Sequence, residues 1–184
     1  MESSLQAFMA ASATLARQCR NSRQVEFELQ SFDEAYLKLG SLFLRDPFSK
    51  DERRALLKVL PLLNFNPKLK ECYYNATHMA QNCMLEFAEG KATSLIPVDH
   101  AWCVFEGRAV DVTWRHRDDR ARTSPRQLMK RIERNIAESV YWGFCVPERW
   151  LWGHHLRTGV YSPAVDDPPN YEILKQGKLP WKEE

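Results

Sequence analysis

His100-Ala101-Trp102-Cys103-Val104-Phe105-Glu106-Gly107-Arg108-Ala109-Val110-Asp111 carries the main structural signal of this chain. Trp102, Val104 and Phe105 precede Glu106-Gly107 and Ala109-Val110 follows it, the composition of two short strands joined by a tight turn. If the turn holds two residues, Trp102 faces Asp111 across the hairpin and His100 faces Thr113. His100 and Asp111 then share one face as diagonal neighbours, about 7–8 Å apart between backbones, which two inclined side chains can bridge. A four-residue loop keeps that parity and a three-residue loop breaks it. Cys103 alternates to the opposite face.

The texture on either side extends this hairpin into a sheet with helices around it. Residues 84–96 and 98–114 lack a helical period and read as strands. A short helix over Glu71–Cys83 precedes them. Ser124-Pro125 opens a helix to about Val140, with Leu128, Ile132 and Ile136 along one side. Tyr141–Val146 reads as a strand, and Pro147 starts a last helix to about Arg157. The first third is helical. Leu5, Phe8, Met9, Leu15 and Ala16 share a face after Ser3 or Ser4. A second helix begins at Ser31 or Asp33 and carries Ala35, Tyr36, Leu39, Leu42 and Phe43. Ser49 with Glu52 forms a capping box for a third, which runs toward Leu63 and is ended early or kinked by Pro61. From Pro163 onward, proline and charge predict an extended surface tail. The expected fold class is α+β in one domain over 1–184: a helical part to residue 69, a core over 70–162, and the tail over 163–184.

The totals agree with one ordinary globular domain. Its 184 residues suffice to bury a core without staples. A net charge of +2 gives no reason to invoke nucleic acid. The cysteines are odd in number and none forms a CxxC pair, which argues against a disulfide framework or structural zinc and for a reducing compartment. No apolar run reaches the ~20 residues of a membrane span. The expected location is cytoplasmic, although Arg17, Arg20 and Arg23 leave a transit peptide open.

Cys72 stands at the expected start of the 71–83 helix, just after Lys68 and Lys70. Helix N-termini present unpaired N–H groups and partial positive charge, which stabilise a thiolate and can bind an oxyanion. Free cysteines are more often simply buried. Combined with His100 and Asp111, however, Cys72 completes a set with defined roles. The carboxylate holds the imidazole in one tautomer, and the imidazole takes the thiol proton.

The pieces Glu71-Cys72-Tyr73-Tyr74-Asn75-Ala76, Glu89-Gly90, His100-Ala101-Trp102, Asp111-Val112-Thr113-Trp114 and Tyr141-Trp142-Gly143 resemble the transglutaminase-like branch of the papain-like superfamily. They are also similar to small phage and bacterial proteins of the same pattern. The resemblance spans roughly 70–165. It implies a helix N-terminus packed on a small antiparallel sheet, with Cys72 as nucleophile, His100 as general base and acid, and Asp111 orienting the ring. It further implies acyl transfer at an amide of a protein or peptide: cleavage, deamidation or cross-linking. The Cys-to-His gap is shorter than in many transglutaminases, so insertions that shape a cleft are missing, and Val112 stands where proline is frequent. No cofactor is required. The Cys72 amide is the expected oxyanion donor, with Asn66 as a candidate side-chain donor.

Tyr73, Trp102 and Trp114, with Tyr74 and Trp142, either line a substrate cleft or belong to the core. Between Arg115 and Arg134, eight Lys or Arg stand against three acids. Arg115, Arg117, Arg120 and Arg122 are thus candidates for docking an acidic protein partner, against the simpler reading of a solvated face. A non-catalytic binding protein on the same fold is the alternative function. No HExxH motif or Cys–His cluster points to a metal.

Overall fold

A computed structural model of the chain describes residues 2–18, 27–60, 67–93, 95–114, 124–163 and 172–182. Its centre is a curled antiparallel sheet in the order β1-β5-β2-β3-β4. The strands are β1 (Ser41–Leu42), β2 (Glu86–Thr93), β3 (Pro97–Phe105), β4 (Arg108–Val110) and β5 (Val140–Val146). The helices are α1 (Glu2–Gln18), α2 (Phe32–Leu39), α3 (Lys50–Val59), α4 (Cys72–Cys83), α5 (Pro125–Glu138), α6 (Glu148–Thr158) and α7 (Glu172–Gln176). The mixture of helices and an antiparallel sheet is α+β.

The β3–β4 hairpin turns on Glu106 and Gly107 and pairs Cys103 with Val110, Val104 with Ala109 and Phe105 with Arg108. This is the two-residue register, which puts His100 and Asp111 on one face. Both turn residues take positive φ, 49° and 72°, as a type I′ hairpin turn requires. Among the described residues, β3 has a strand partner on its β4 side only over Cys103–Phe105, so its first half is bordered there by no strand.

The two faces of the sheet carry different cores. On one, Ala76 of α4 packs with Phe87, Ala101 and Phe144 beneath α1, α2 and α6. Beside it, Met79 and Cys83 join Cys103 and Val110 to residues of α3 and α5. The other face is aromatic: Trp102 lies among Phe43, Ala88, Ala109 and Tyr141. Both capping boxes are formed, Ser49 with Glu52 and Ser124 with Gln127, so these helix starts are set by local sequence.

Three expectations need correction. The second helix stops at Leu39, and Ser41–Leu42 instead joins the sheet against Trp142–Gly143. Gly40 makes the exit possible, since a Cβ there would meet the Tyr36 carbonyl oxygen at 2.5 Å and that of Gly143 at 2.9 Å. The third helix closes at Val59, before position 61 and in line with the early end expected there. In α1 the buried stripe is Leu5, Met9 and Ala13, while Phe8 and Leu15 are exposed. The tail is not an extended surface strand throughout. α7 buries Ile173 and Leu174, Leu179 follows, and Trp181 packs against Phe144 and Trp150. Four apolar residues within nine positions outweighed a proline-rich composition.

β2 and β5 approach unusually closely at Gly90 and Gly143, which face each other. A Cβ on Gly90 would meet the Trp142 carbonyl oxygen at 2.1 Å, and one on Gly143 that of Glu89 at 2.0 Å. Gly90 also faces His100 on its other side, so this contact sets the strand that backs the candidate site.

Candidate active site

The hairpin register delivers His100 and Asp111 to each other. His100 Nε2 lies 2.8 Å from Asp111 Oδ2, with the side chains 4% and 1% exposed. The carboxylate is fully engaged: Oδ2 also accepts from the Tyr141 hydroxyl at 3.0 Å, and Oδ1 from the Thr113 amide at 2.8 Å. The Asn135 side-chain amide on α5 donates to the Asp111 and Trp114 carbonyls, at 3.1 and 3.3 Å, and so anchors the segment after β4. Trp114 stacks on the imidazole with ring centres 4.6 Å apart.

With Nε2 committed to Asp111, Nδ1 is the ring nitrogen left for Cys72, which lines the same cavity and favours the charged ring electrostatically. Burial by itself disfavours the imidazolium, but the adjoining Asp111 carboxylate and Cys72 outweigh it and push His100 up to about 10. Burial likewise opposes the Asp111 charge, and the opposing pull of His100, the Thr113 amide and the Tyr141 hydroxyl holds its carboxyl below the usual range.

Cys72 is half-buried and is the first residue of α4. Glu71, at the N-cap, makes no side-chain capping bond, so no side chain of the cap covers the first-turn amides. Lys70 takes a left-handed backbone, φ 64°, to turn the chain into the helix. The approach is clamped from within by Asn75, one turn further on and fully buried. Its side chain accepts from the Lys68 amide at 2.7 Å and donates to the Lys68 carbonyl at 2.6 Å and to Thr113 Oγ1 at 3.0 Å. Thr113 in turn binds Asp111, so a continuous hydrogen-bonded chain links the loop before Cys72 to the carboxylate. Sequence reading quoted Asn75 without a role and missed Tyr141 as a carboxylate partner. An asparagine on a helix face otherwise facing the core, as here beside Ala76, was the available signal.

A cavity of about 510 Å3 opens over the pair, lined by Leu69, Lys70, Cys72, Val98, Asp99, His100, Thr113, Trp114, Glu138 and Ser139. Asp99 is paired with Lys91 at 2.9 Å, and Lys91 also reaches Asp33 at 2.7 Å. The other described cysteines are differently placed. Cys103 is sealed on the far face, its thiol donating to the Ala76 carbonyl at 3.2 Å. Burial pushes Cys83 up to about 11; burial and Glu86 push Cys145 up to about 12.

The expected aromatic cleft is realised only by Trp114. Trp102 is 1% exposed and packs edge-on against Phe43 at 5.3 Å, because the parity that presents His100 also points Trp102 into the aromatic core. Tyr73 packs against the core beneath α1 and α2 instead of lining the cavity. Arg115, Arg117, Arg120, Arg122 and Asn66 lie outside the described residues. Among the described residues no group of three or more His, Cys, Asp or Glu is arranged to hold a metal, and no helix is long and apolar enough to cross a membrane. In comparisons with known proteins, no family model, curated protein or solved structure matches the chain.

Proposed function

We propose that this protein is a thiol-dependent enzyme acting on amide bonds, with Cys72 as nucleophile, His100 as acid and base, and Asp111 as the residue that orients His100. The observation that carries the reading is a sealed His100–Asp111 pair whose ring shares an open cavity with Cys72. A merely structural histidine has no need of a partly exposed cysteine beside it.

In the reaction the Cys72 sulfur, as thiolate partner of the imidazolium, attacks the amide carbonyl carbon, and the carbonyl π electrons move to oxygen. The first-turn amide of Cys72 donates to that oxyanion. Collapse re-forms the carbonyl and breaks the C–N bond, while His100 passes its proton to the departing amine. A thioester remains. Water or a second amine then attacks it, His100 takes the incoming proton, and the sulfur leaves. Asp111 stays ionised throughout and keeps Nδ1 aimed at the sulfur. Water gives a peptidase or deamidase, and an amine gives an acyl transferase. The order Cys, His, Asp along the sequence resembles that of the transglutaminase-like branch of the papain-like superfamily.

Iodoacetamide alkylation followed by peptide mass mapping tests the reading, in the natural protein and in His100→Ala. Cys72 should react faster than Cys83, Cys103 and Cys145 at neutral pH, and His100→Ala should slow it by about 10-fold or more, the range expected when a thiol loses a cationic partner. Equal rates in the two proteins would remove the ion pair, and the proposal with it.

A further inference from the structure

The walls of the cavity carry exposed aliphatic side chains where a soluble protein normally places polar ones. Leu69, three residues before Cys72, is 58% exposed, and Val98, two residues before His100, is 36% exposed, and both line the cavity. The hairpin that carries Val98 continues outward through Ile96 and Leu95, 71% and 93% exposed. Single exposed aliphatics are ordinary, but here two of them line the cavity that holds the thiol, and two more continue from Val98.

The charged groups at this opening offer no clear alternative preference. Asp99 is held by Lys91, and Lys70 and Glu138 contribute one charge of each sign. Position also indicates the occupant. Leu69 and Val98 share the cavity with both Cys72 and His100, so whatever covers them lies beside the reacting carbonyl.

Resting on the thiol-enzyme reading, we infer that the substrate is a peptide segment bearing a large aliphatic side chain next to the reacting amide, seated between Leu69 and Val98. Leu95 and Ile96 extend the contact to a further apolar residue of the same segment. Neither residue takes part in the bond-making steps; they set which segment is held in place for them.

Chloromethyl ketones test this directly, because the side chain of the reagent adjoins the carbonyl that the sulfur approaches. The Cys72 sulfur displaces chloride and forms a thioether, read as a mass shift on the Cys72 peptide. Acetyl-leucine, acetyl-glycine and acetyl-glutamate chloromethyl ketones are compared, each rate divided by the iodoacetamide rate of Cys72 in the same protein. The leucine reagent should exceed the glycine reagent by about 10-fold, the discrimination that a few methylenes provide in an apolar site. In the Leu69→Ser/Val98→Ser double variant that ratio should fall to about 2-fold or less. Equal rates for the leucine and glycine reagents, faster reaction of the glutamate reagent, or a preference that survives the double variant would each overturn the inference. Failure of the thiol-enzyme reading is read separately, as an iodoacetamide rate insensitive to His100→Ala.

Discussion

Nε2 of His100 sits 2.8 Å from Oδ2 of Asp111 with both side chains almost sealed from solvent, so this contact couples the chemistry of the site to the stability of the fold. The imidazole is raised from 6.5 to about 10 in the folded protein. A raised basic group contributes stability that is fully present below its unfolded value and is lost as pH climbs through the folded one. Stability should therefore decline between about pH 6.5 and 10, by an amount on the order of 5 kcal/mol. The depressed Asp111 acts in the opposite sense, contributing above its ordinary value near 3.8 and failing as pH falls through its lowered one. Urea denaturation at a series of pH values measures both limbs. His100→Asn should flatten the alkaline decline; an unchanged slope would show that the pair does not hold the proton.

Asp111→Asn tests the pair from the other side. Removing one partner of a buried ion pair costs about 3–5 kcal/mol because the remaining charge is stranded. Here it also deprives the Thr113 amide and the Tyr141 hydroxyl of their charged acceptor. The expected result is a loss in that range at pH 6, with slower alkylation of Cys72 in the molecules that remain folded.

Asn75→Ala should separate positioning from chemistry. It deletes three hydrogen bonds and leaves the Lys68 backbone groups and buried Thr113 Oγ1 without this partner, at a cost of about 1–3 kcal/mol. If the clamp orients the loop before Cys72, alkylation of Cys72 slows even where circular dichroism shows the fold intact. Thr113→Val, which removes only one of these bonds, should show a smaller form of both effects. A stability loss with no change in the Cys72 rate would make Asn75 a purely structural residue.

Gly143→Ala and Gly90→Ala address the sheet behind the site. Either Cβ would stand about 2 Å from a backbone carbonyl oxygen of the opposing strand. Neither contact can be relieved by rotating a side chain, so each variant should lose about 3 kcal/mol or more, at the upper end of ordinary overpacking. Thermal unfolding gives the answer; a change below 1 kcal/mol would mean that β2 and β5 separate easily.

Ile173→Ala probes the C-terminal segment. Ile173 is 2% exposed within the core beneath α1 and α2, and truncating a buried isoleucine costs about 2–5 kcal/mol. A loss of that size marks α7 as part of the cooperative fold, whereas a loss under 0.5 kcal/mol would mark it as a detachable appendage.

Much of this protein is written locally. The alternation from His100 to Phe105 and the matching run to Asp111 put a histidine and a carboxylate on one face provided the turn holds two residues, because strand periodicity is two; the pairing of Phe105 with Arg108 supplied that register. The Ser49–Glu52 and Ser124–Gln127 boxes likewise determine where two helices begin, through bonds made within four residues. Tertiary structure decided what depends on distant partners. The same alternation that made His100 functional left Trp102 ambiguous, and only the packing of Phe43 and Tyr141 placed it in the core. Local composition showed the tail's prolines and charges, whereas the burial of Ile173, Leu174 and Leu179 required the groove to which they dock. The hydrogen bonds from Asn75 to Lys68 and Thr113 were beyond the sequence for the same reason. They join residues 7 and 38 positions apart, and no local pattern specifies which partners an asparagine side chain will meet.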